Sequence, residues 1–544
     1  MKTTADIIIV GGGNAGCALA YRLSEKYSVI LLEAGTDLSN DPQIYTPSNS
    51  GTLLNNVNTY FYPLGHSVDT SGNTRHPFPA VEGELLGGGS SVNGMQYVIG
   101  TAEYYQRWSA SINDSDWGPE NVSNTYKYIE NFNGVSGNYD PNAHGYDGKL
   151  DVKQVTVNEQ AATIFATAAS EVANIPFNID YNSFLNPLGS YIYWQVTETP
   201  YSYRASSFTA YLKSLLKQRK SCSNVYTSRD RCKNIQVVTK ARVQRILFKE
   251  LQHDQCNACS SQHVHHSASR KATGVSAVVN GECIDFSAKK YVMLTAGFQS
   301  ASLLQLSGVG DAEYLSSICV PSIIDNPNVG KHMLNHPIIS LTGVVVDNNP
   351  FTLPVNYNSQ GLYSGGAQVP SSSSSRSYQL IGISSPNAPN VIPTTFTISG
   401  LVLDAQSEGY IQISNSDPNR PPIFNFNYFE DPVDLVSAVE MYGIMYNTLV
   451  KMGLQPTGPN PEDGPEGVEQ YIENAFSQAY HWTGMTRMST SAVDGVVNSS
   501  GKVHGSRNLY VADISVAPFN PTGNTQAIAY LIPNVIADKL LQKA

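Results

Sequence analysis

What constrains this chain most is its opening. Asp6 to Val10 (DIIIV) runs into Gly11-Gly12-Gly13-Asn14-Ala15-Gly16, a small-and-apolar stretch from Cys17 to Leu23 follows, and Tyr27 to Leu32 (YSVILL) closes with Glu33. Neither apolar run alternates in polarity, so both read as buried parallel strands and the segment between them as a helix. The glycines of this βαβ unit have separate tasks: Gly11 makes the tight turn, Gly13 lets main chain approach a pyrophosphate, and Gly16 lets helix and strand pack closely. Asn14 and Ala15 lie at the helix N-terminus, whose unpaired N–H groups face phosphate. Glu33, at the end of the second strand, accepts hydrogen bonds from ribose hydroxyls and repels a phosphate in their place, which disfavours NADP. A strand before, a helix after and an acid at the next strand end make this a far stronger signal than a bare G-x-G-x-x-G.

At 544 residues the chain exceeds the roughly 250 to 300 at which a single core stops growing, so at least two domains are expected. Hydrophobic residues at 41% exclude a disordered chain, and 43 Gly with 30 Pro call for many tight turns. A formal charge of -11 without any Lys or Arg run argues against direct nucleic-acid binding and against an anionic membrane surface, and favours small neutral ligands. No stretch reaches the roughly 18 to 20 apolar residues of a membrane span, and the N-terminus lacks a basic segment followed by an apolar one, so a cytoplasmic location is expected. Seven Cys, an odd and scattered count, argue against a complete disulfide framework.

The opening motif leaves FAD and NAD undecided. Downstream, Gly83-Glu84-Leu85-Leu86-Gly87-Gly88-Gly89-Ser90-Ser91-Val92-Asn93-Gly94 resembles the first signature of the glucose-methanol-choline (GMC) oxidoreductases, followed in the family's order by Tyr104, Arg107-Trp108 and Trp117-Gly118. Arg242 to Phe248 resembles the family strand whose valine, here Val243, meets the adenine through its backbone. Thr295-Ala296-Gly297 through Ser307-Gly308-Val309-Gly310 resembles the second signature, one residue shorter between Gly297 and Leu303 and with Ala301 where proline is common. Val329-Gly330 and Asn335-His336-Pro337 match a further block, with Asn335 at the usual Asp position.

The resemblance spans nearly the whole chain, weakest between Asn138 and Thr199 and between Ser340 and Ser407. It implies an α/β fold: a Rossmann-like FAD-binding domain over residues 1–155, 200–335 and 481–544, and an α+β substrate domain with an antiparallel sheet over 156–199 and 336–480. Gly409 to Asn427 alternates and breaks at proline like strands of that domain. In the first signature Leu86, Gly88, Ser91, Asn93 and Gly94 are expected to wrap the cofactor, with Ser91 and Asn93 donating to the flavin's polar edge. Members with covalent flavin carry histidine where Val92 stands, so the FAD is expected to be non-covalent.

His481-Trp482-Thr483-Gly484-Met485 resembles the family's H-x-x-G-T motif, and Val511 to Thr525 (VADISVAPFNPTGNT) its closing motif, which puts Asn524 at the second catalytic position and Asp513 and Thr525 beside the cofactor. Oxidising an alcohol means removing the hydroxyl proton while hydride leaves carbon, and a neutral imidazole is the natural base. His481 is therefore the expected base, and Asn524, which cannot take a proton, is expected to donate its amide to the developing alkoxide. The partners implied are a small alcohol, and oxygen or another electron acceptor.

Two other readings compete. Some plant members of the family are FAD-containing hydroxynitrile lyases, but the resemblance implies two histidines at their active pair and Asn524 stands against this. The Ser-Asn-Tyr-rich composition, with Asp311 to Ile318 and Val511 to Thr525, is similar to giant-virus members packaged in particles, which implies a scaffold role, a virion location and a homodimer or higher assembly. Outside the family pattern, Cys256 and Cys259 with His263, His265 and His266 have a spacing that could ligate zinc, but a polar hairpin tip is preferred and no metal is expected. Cys222 and Cys232 bracket a second polar insertion and could pair, and Ser371 to Ser375 reads as an exposed flexible loop.

Overall fold

The computed structural model describes residues 1–56, 61–67, 76–156, 159–185, 187–219, 234–249, 270–346, 363–372, 376–385 and 395–542. Cys222, Cys232, Cys256, Cys259 and His263 to His266 lie outside these residues.

The opening unit forms β1 (Thr4–Val10), α1 (Asn14–Leu23) and β2 (Val29–Leu32). Ile7, Ile8 and Ile9 are fully buried, as a strand covered on both faces requires. The helix starts three residues before its apolar stretch, so Gly16 falls in its first turn. The sheet runs Ala241–Phe248, Ala272–Val279, Glu282–Leu294, β1, β2 and Ile235–Val238, with Leu509–Val511 paired alongside Glu282–Leu294. Val10 lies opposite both Leu294 and Leu32, and Leu294 opposite Val511, all in parallel pairs. Four strands therefore end on one line, and Gly11, Glu33, Thr295 and Ala512 leave the sheet together at its carboxyl edge, where open α/β sheets bind ligands.

A second seven-stranded sheet is antiparallel throughout, in the order Gln455–Pro456, Pro337–Val344, Thr395–Val402, Ser377–Ser385, Gly366–Pro370 and Gly189–Tyr191, with Ser477–Gln478 paired beside Pro337–Val344. Its strands alternate. Ile339, Leu341, Phe396 and Ile398 are fully buried on one face, which the helix Pro432–Lys451 covers with Met441 and Met445. Ile338, Ile381 and Leu401 belong to the other face. That helix starts where Asp431 accepts the Val433 N–H at 2.9 Å, with Pro432 in its first turn.

Two segments singled out in the sequence take definite places, and Ser373 to Ser375 lie outside the described residues. The Gly409 to Asn427 segment forms its own hairpin, Tyr410–Gln412 against Ile423–Asn425, outside the large sheet. Within the serine run, Ser371 and Ser372 are tied to the helix: their hydroxyls donate to Glu440 at 2.8 Å each, because a carboxylate on the helix flank offers acceptors that water would otherwise supply. Among the described residues no helix is long and apolar enough to cross a membrane, and no group of three or more His, Cys, Asp or Glu is placed to hold a metal ion.

Candidate active site

The carboxyl edge of the first sheet opens into a cavity of about 520 Å³ that continues to the free face of the second. On the first-sheet side it is walled by backbone. A Cβ on Gly16 would stand 1.9 Å from the Gly11 carbonyl oxygen, and one on Gly88 would stand 2.8 Å from Gly13 Cα, so two glycine segments meet with no room for a side chain between them. Asn14 Oδ1 joins them by accepting the Ser90 N–H at 2.9 Å. Glu33 accepts the Gly12 and Gly35 N–H groups, and burial pushes its carboxyl up to about 7. Asp513, also buried and raised by that burial, accepts the Gly297 N–H and the Ser300 and Ser515 hydroxyls.

Of the residues expected at the site, Gly11, Gly13, Asn14, Ala15, Glu33, Gly88, Asn93, Gly94, Val243, Ala296, His481, Asp513, Asn524 and Thr525 all line this one cavity. Gly16, Leu86 and Ser91 do not. Gly16 sits behind the wall as a packing contact, Leu86 is 3% exposed, and the Ser91 hydroxyl is turned inward to the Leu86 carbonyl at 3.0 Å. The expected Ser91 donor to the flavin edge is thus engaged in closing the glycine turn. Asn93 lines the cavity, yet its amide donates to Gln526 Oε1 at 2.7 Å and its oxygen accepts from Met95 N–H and Arg204.

At the far end, His481 is held from both sides. Asn335 Oδ1 accepts the backbone N–H of His336 and of His481, each at 2.9 Å, and so pins two histidines from distant segments next to one another. Their rings meet through Nδ1 to Nδ1 at 2.9 Å, while His336 Nε2 lies 2.8 Å from the Pro521 carbonyl oxygen. A carbonyl oxygen only accepts, so His336 Nε2 carries the hydrogen. Burial holds this ring's pKa down at about 4, so it is neutral and its Nδ1 is an acceptor. His481 must then donate from Nδ1, which leaves its Nε2 as a bare lone pair with no hydrogen bond among the described residues, on a side chain that lines the cavity. Burial, reinforced by His336, also holds His481 well below the ordinary histidine range, so the lone pair is unprotonated at neutral pH.

Asn524 has a partner that the sequence does not announce. Its Nδ2 donates to Gln96 Oε1 at 2.9 Å, leaving Asn524 Oδ1 and Gln96 Nε2 buried without hydrogen-bond partners among the described residues. Sequence reading missed Gln96, the role of His336 and the acid Glu82, which accepts the Phe298 N–H at 2.6 Å and is pushed up to about 8 by enclosure, with Asp513 and Glu33 adding to the shift. His336 stood in a recognised block, but nothing in the chain signals that it touches His481, 145 positions away.

The geometry defines a protein that binds a dinucleotide along a glycine-lined sheet edge and presents an unprotonated imidazole at the end of the same cavity. The glycine cradle and the Gln299 and Trp482 donors, buried on cavity-lining residues without partners among the described residues, suit a long, polar, planar cofactor. Comparison with known proteins gives the family. GMC oxidoreductase models match residues 5–338 (N-terminal) and 405–532 (C-terminal), and the chain belongs to that family, an FAD-dependent oxidoreductase with FAD as its cofactor. It is 28% identical to an alcohol dehydrogenase [acceptor] of Pseudomonas putida, with 99% of this chain and 96% of that protein covered. It is 26% identical to L128, a protein of Acanthamoeba polyphaga mimivirus assigned to the GMC type, over 98% and 91%. Pyridoxine 4-oxidase from Mesorbium loti shares the fold, with a TM-score of 0.79 at 21% identity over 99% of both chains.

Proposed function

We propose that this protein oxidises an uncharged alcohol of apolar body, with His481 as the base. The observation that carries this reading is the fixed tautomer: the Pro521–His336–His481 chain leaves one unprotonated nitrogen, His481 Nε2, facing the cavity. That nitrogen takes the hydroxyl proton as the C–H pair departs and the carbonyl forms. FAD, when bound, supplies the hydride acceptor. His336 is a positioning residue that keeps the accepting nitrogen of His481 in place. The residues suited to hold the cofactor are Gly11 to Ala15 with the α1 N-terminus at the pyrophosphate, Glu33 at the ribose, Val243 at the adenine, and Gly88, Asn93, Gly94, Ala296, Asp513, Asn524 and Thr525 along the rest. Val92 lines the cavity with an apolar side chain that can form no covalent link, which supports non-covalent binding.

The substrate end supports the alcohol class. Ile338, Ile381 and Leu401 from the second sheet, with Met95 and Tyr363, form an apolar wall, while the charged side chains lining the cavity, such as Glu33, Glu84, Arg242 and Asp513, cluster toward the first sheet. A polyol pressed on that wall would lose hydrogen bonds to water without replacing them, at roughly 1 to 3 kcal/mol per stranded group. The two-sheet layout agrees with assigning 1–155, 200–335 and 481–544 to the cofactor and 156–199 and 336–480 to the substrate. Oxygen or another acceptor then reoxidises the cofactor. Air-free titration of the holoprotein with aryl, alkyl and sugar alcohols tests this: aryl or alkyl primary alcohols should bleach the flavin band and yield aldehyde, and bleaching by sugars alone would refute it.

A further inference from the structure

We propose that Gln96 is a substrate-binding residue, an amide that works with Asn524 to hold the alcohol oxygen beside His481 Nε2. The proposal rests on the alcohol-oxidising reading above. Gln96 is 7% exposed and Asn524 8% exposed, and both line the cavity that His481 lines. One bond joins them, Asn524 Nδ2 to Gln96 Oε1 at 2.9 Å, and the two groups left over, Gln96 Nε2 and Asn524 Oδ1, are buried with no partner among the described residues. A half turn of both amides preserves the shared bond and exchanges which residue carries the spare donor and which the spare acceptor. Either way the pair presents one unpartnered NH2 group and one unpartnered C=O. Buried amide groups are nearly always hydrogen-bonded, so two of them idle at the cavity mark a place that a ligand completes.

The chemistry selects a hydroxyl. An alcohol oxygen gives its one hydrogen to His481 Nε2 and has lone pairs left over, for which the spare N–H of the pair is the matching donor. As the proton moves to His481, charge grows on that oxygen and the N–H bond to it strengthens, which is the condition for speeding the reaction rather than merely tightening binding. The backbone around Gln96 is fixed: Tyr97 N–H donates to Gln195 O at 2.8 Å, and Gln96 bridges Val196. The amide is therefore held in place before the substrate arrives, and freezing it costs little on binding.

The test uses FAD-loaded protein and two probes. Benzyl alcohol carries a transferable hydrogen, and 2-phenyl-2-propanol carries the hydroxyl on a carbon with none, so its binding is read without turnover from the shift of the flavin absorbance. In Gln96→Leu, air-free reduction by benzyl alcohol should slow about 10- to 100-fold and 2-phenyl-2-propanol should bind about 10-fold more weakly, with FAD content unchanged. Gln96→Asn, which keeps both amide groups, should recover part of each loss. Wild-type rates and binding in Gln96→Leu would overturn the assignment and leave the alcohol reading standing. Should Gln96→Leu lose its FAD, Gln96→Met decides: it keeps the length of the side chain but offers neither N–H nor C=O, so undiminished binding of 2-phenyl-2-propanol there overturns the proposal. A wild-type protein that neither probe binds or reduces would overturn both the proposal and the reading beneath it.

Discussion

The two walls of the cavity are built on opposite principles. The first-sheet wall is backbone: a turn at Gly11 with φ +101°, a helix N-terminus, and glycines packed so closely that no Cβ fits. The second-sheet wall is side chain: Ile338, Ile381 and Leu401 standing off an antiparallel ladder. A backbone wall binds what every member of a family shares and tolerates almost no substitution, whereas a side-chain wall can be re-cut residue by residue to suit one substrate. His481 and Asn524 line the same cavity as both walls.

If that contrast holds, the largest effect comes from filling the backbone wall. Gly16→Val drives a branched side chain into the Gly11 carbonyl 1.9 Å away, and the variant should purify without FAD and without activity, as its absorbance spectrum would show. A yellow, active Gly16→Val protein would break the comparison. Next comes the junction: His336→Ala frees the His481 ring to turn or exchange tautomers, and flavin reduction should slow roughly 10- to 100-fold while FAD stays bound. In the intact protein, because His481 titrates well below 6.5, the reduction rate should stay flat through neutral pH and fall only in acid, once the lone pair is protonated. An acid limb centred near 6.5 would contradict the buried pair. On the side-chain wall, Ile338→Ala should raise KM for apolar alcohols by about 10-fold or less and leave cofactor content untouched.

The smallest effect lies away from both walls. His144 is stacked on Phe132 with ring centroids 3.5 Å apart, and its two ring nitrogens meet Glu130 and Asp180. Burial pulls its pKa down, but the bonds to Asp180 and Glu130 outweigh this and raise it to about 9. A raised folded value against 6.5 in the unfolded chain means its contribution is fully present below pH 6.5 and is lost as pH rises through about 9. The melting temperature should fall by a few degrees across that window, and His144→Asn should flatten the slope.

The same contrast explains what the sequence could reveal. Gly11, Gly13, Glu33 and Gly88 were legible because their roles are set by local backbone geometry, and local geometry leaves a spacing in the chain. His481 and Asn524 were legible as motifs, but the partner of each was not: His336 reaches His481 across 145 positions and Gln96 reaches Asn524 across 428. Nothing in a linear pattern marks such a meeting. Ser91 and Leu86 misled for the converse reason, since a signature records that residues are needed together without saying which face the ligand and which face the core. The apolar wall was invisible because Ile338, Ile381 and Leu401 look like any other strand residues until the ladder puts them on one face.

The central claim is that a glycine-walled FAD site delivers its cofactor to an imidazole whose Nε2 is held unprotonated. Its most direct test is stopped-flow reduction of FAD-loaded wild type and His481→Ala by one apolar primary alcohol in the absence of air. The expected result is a bleached wild type and a variant that keeps its FAD but is reduced about 10²- to 10⁴-fold more slowly. Equal rates, or a wild-type protein that is colourless and refuses added FAD, would contradict it.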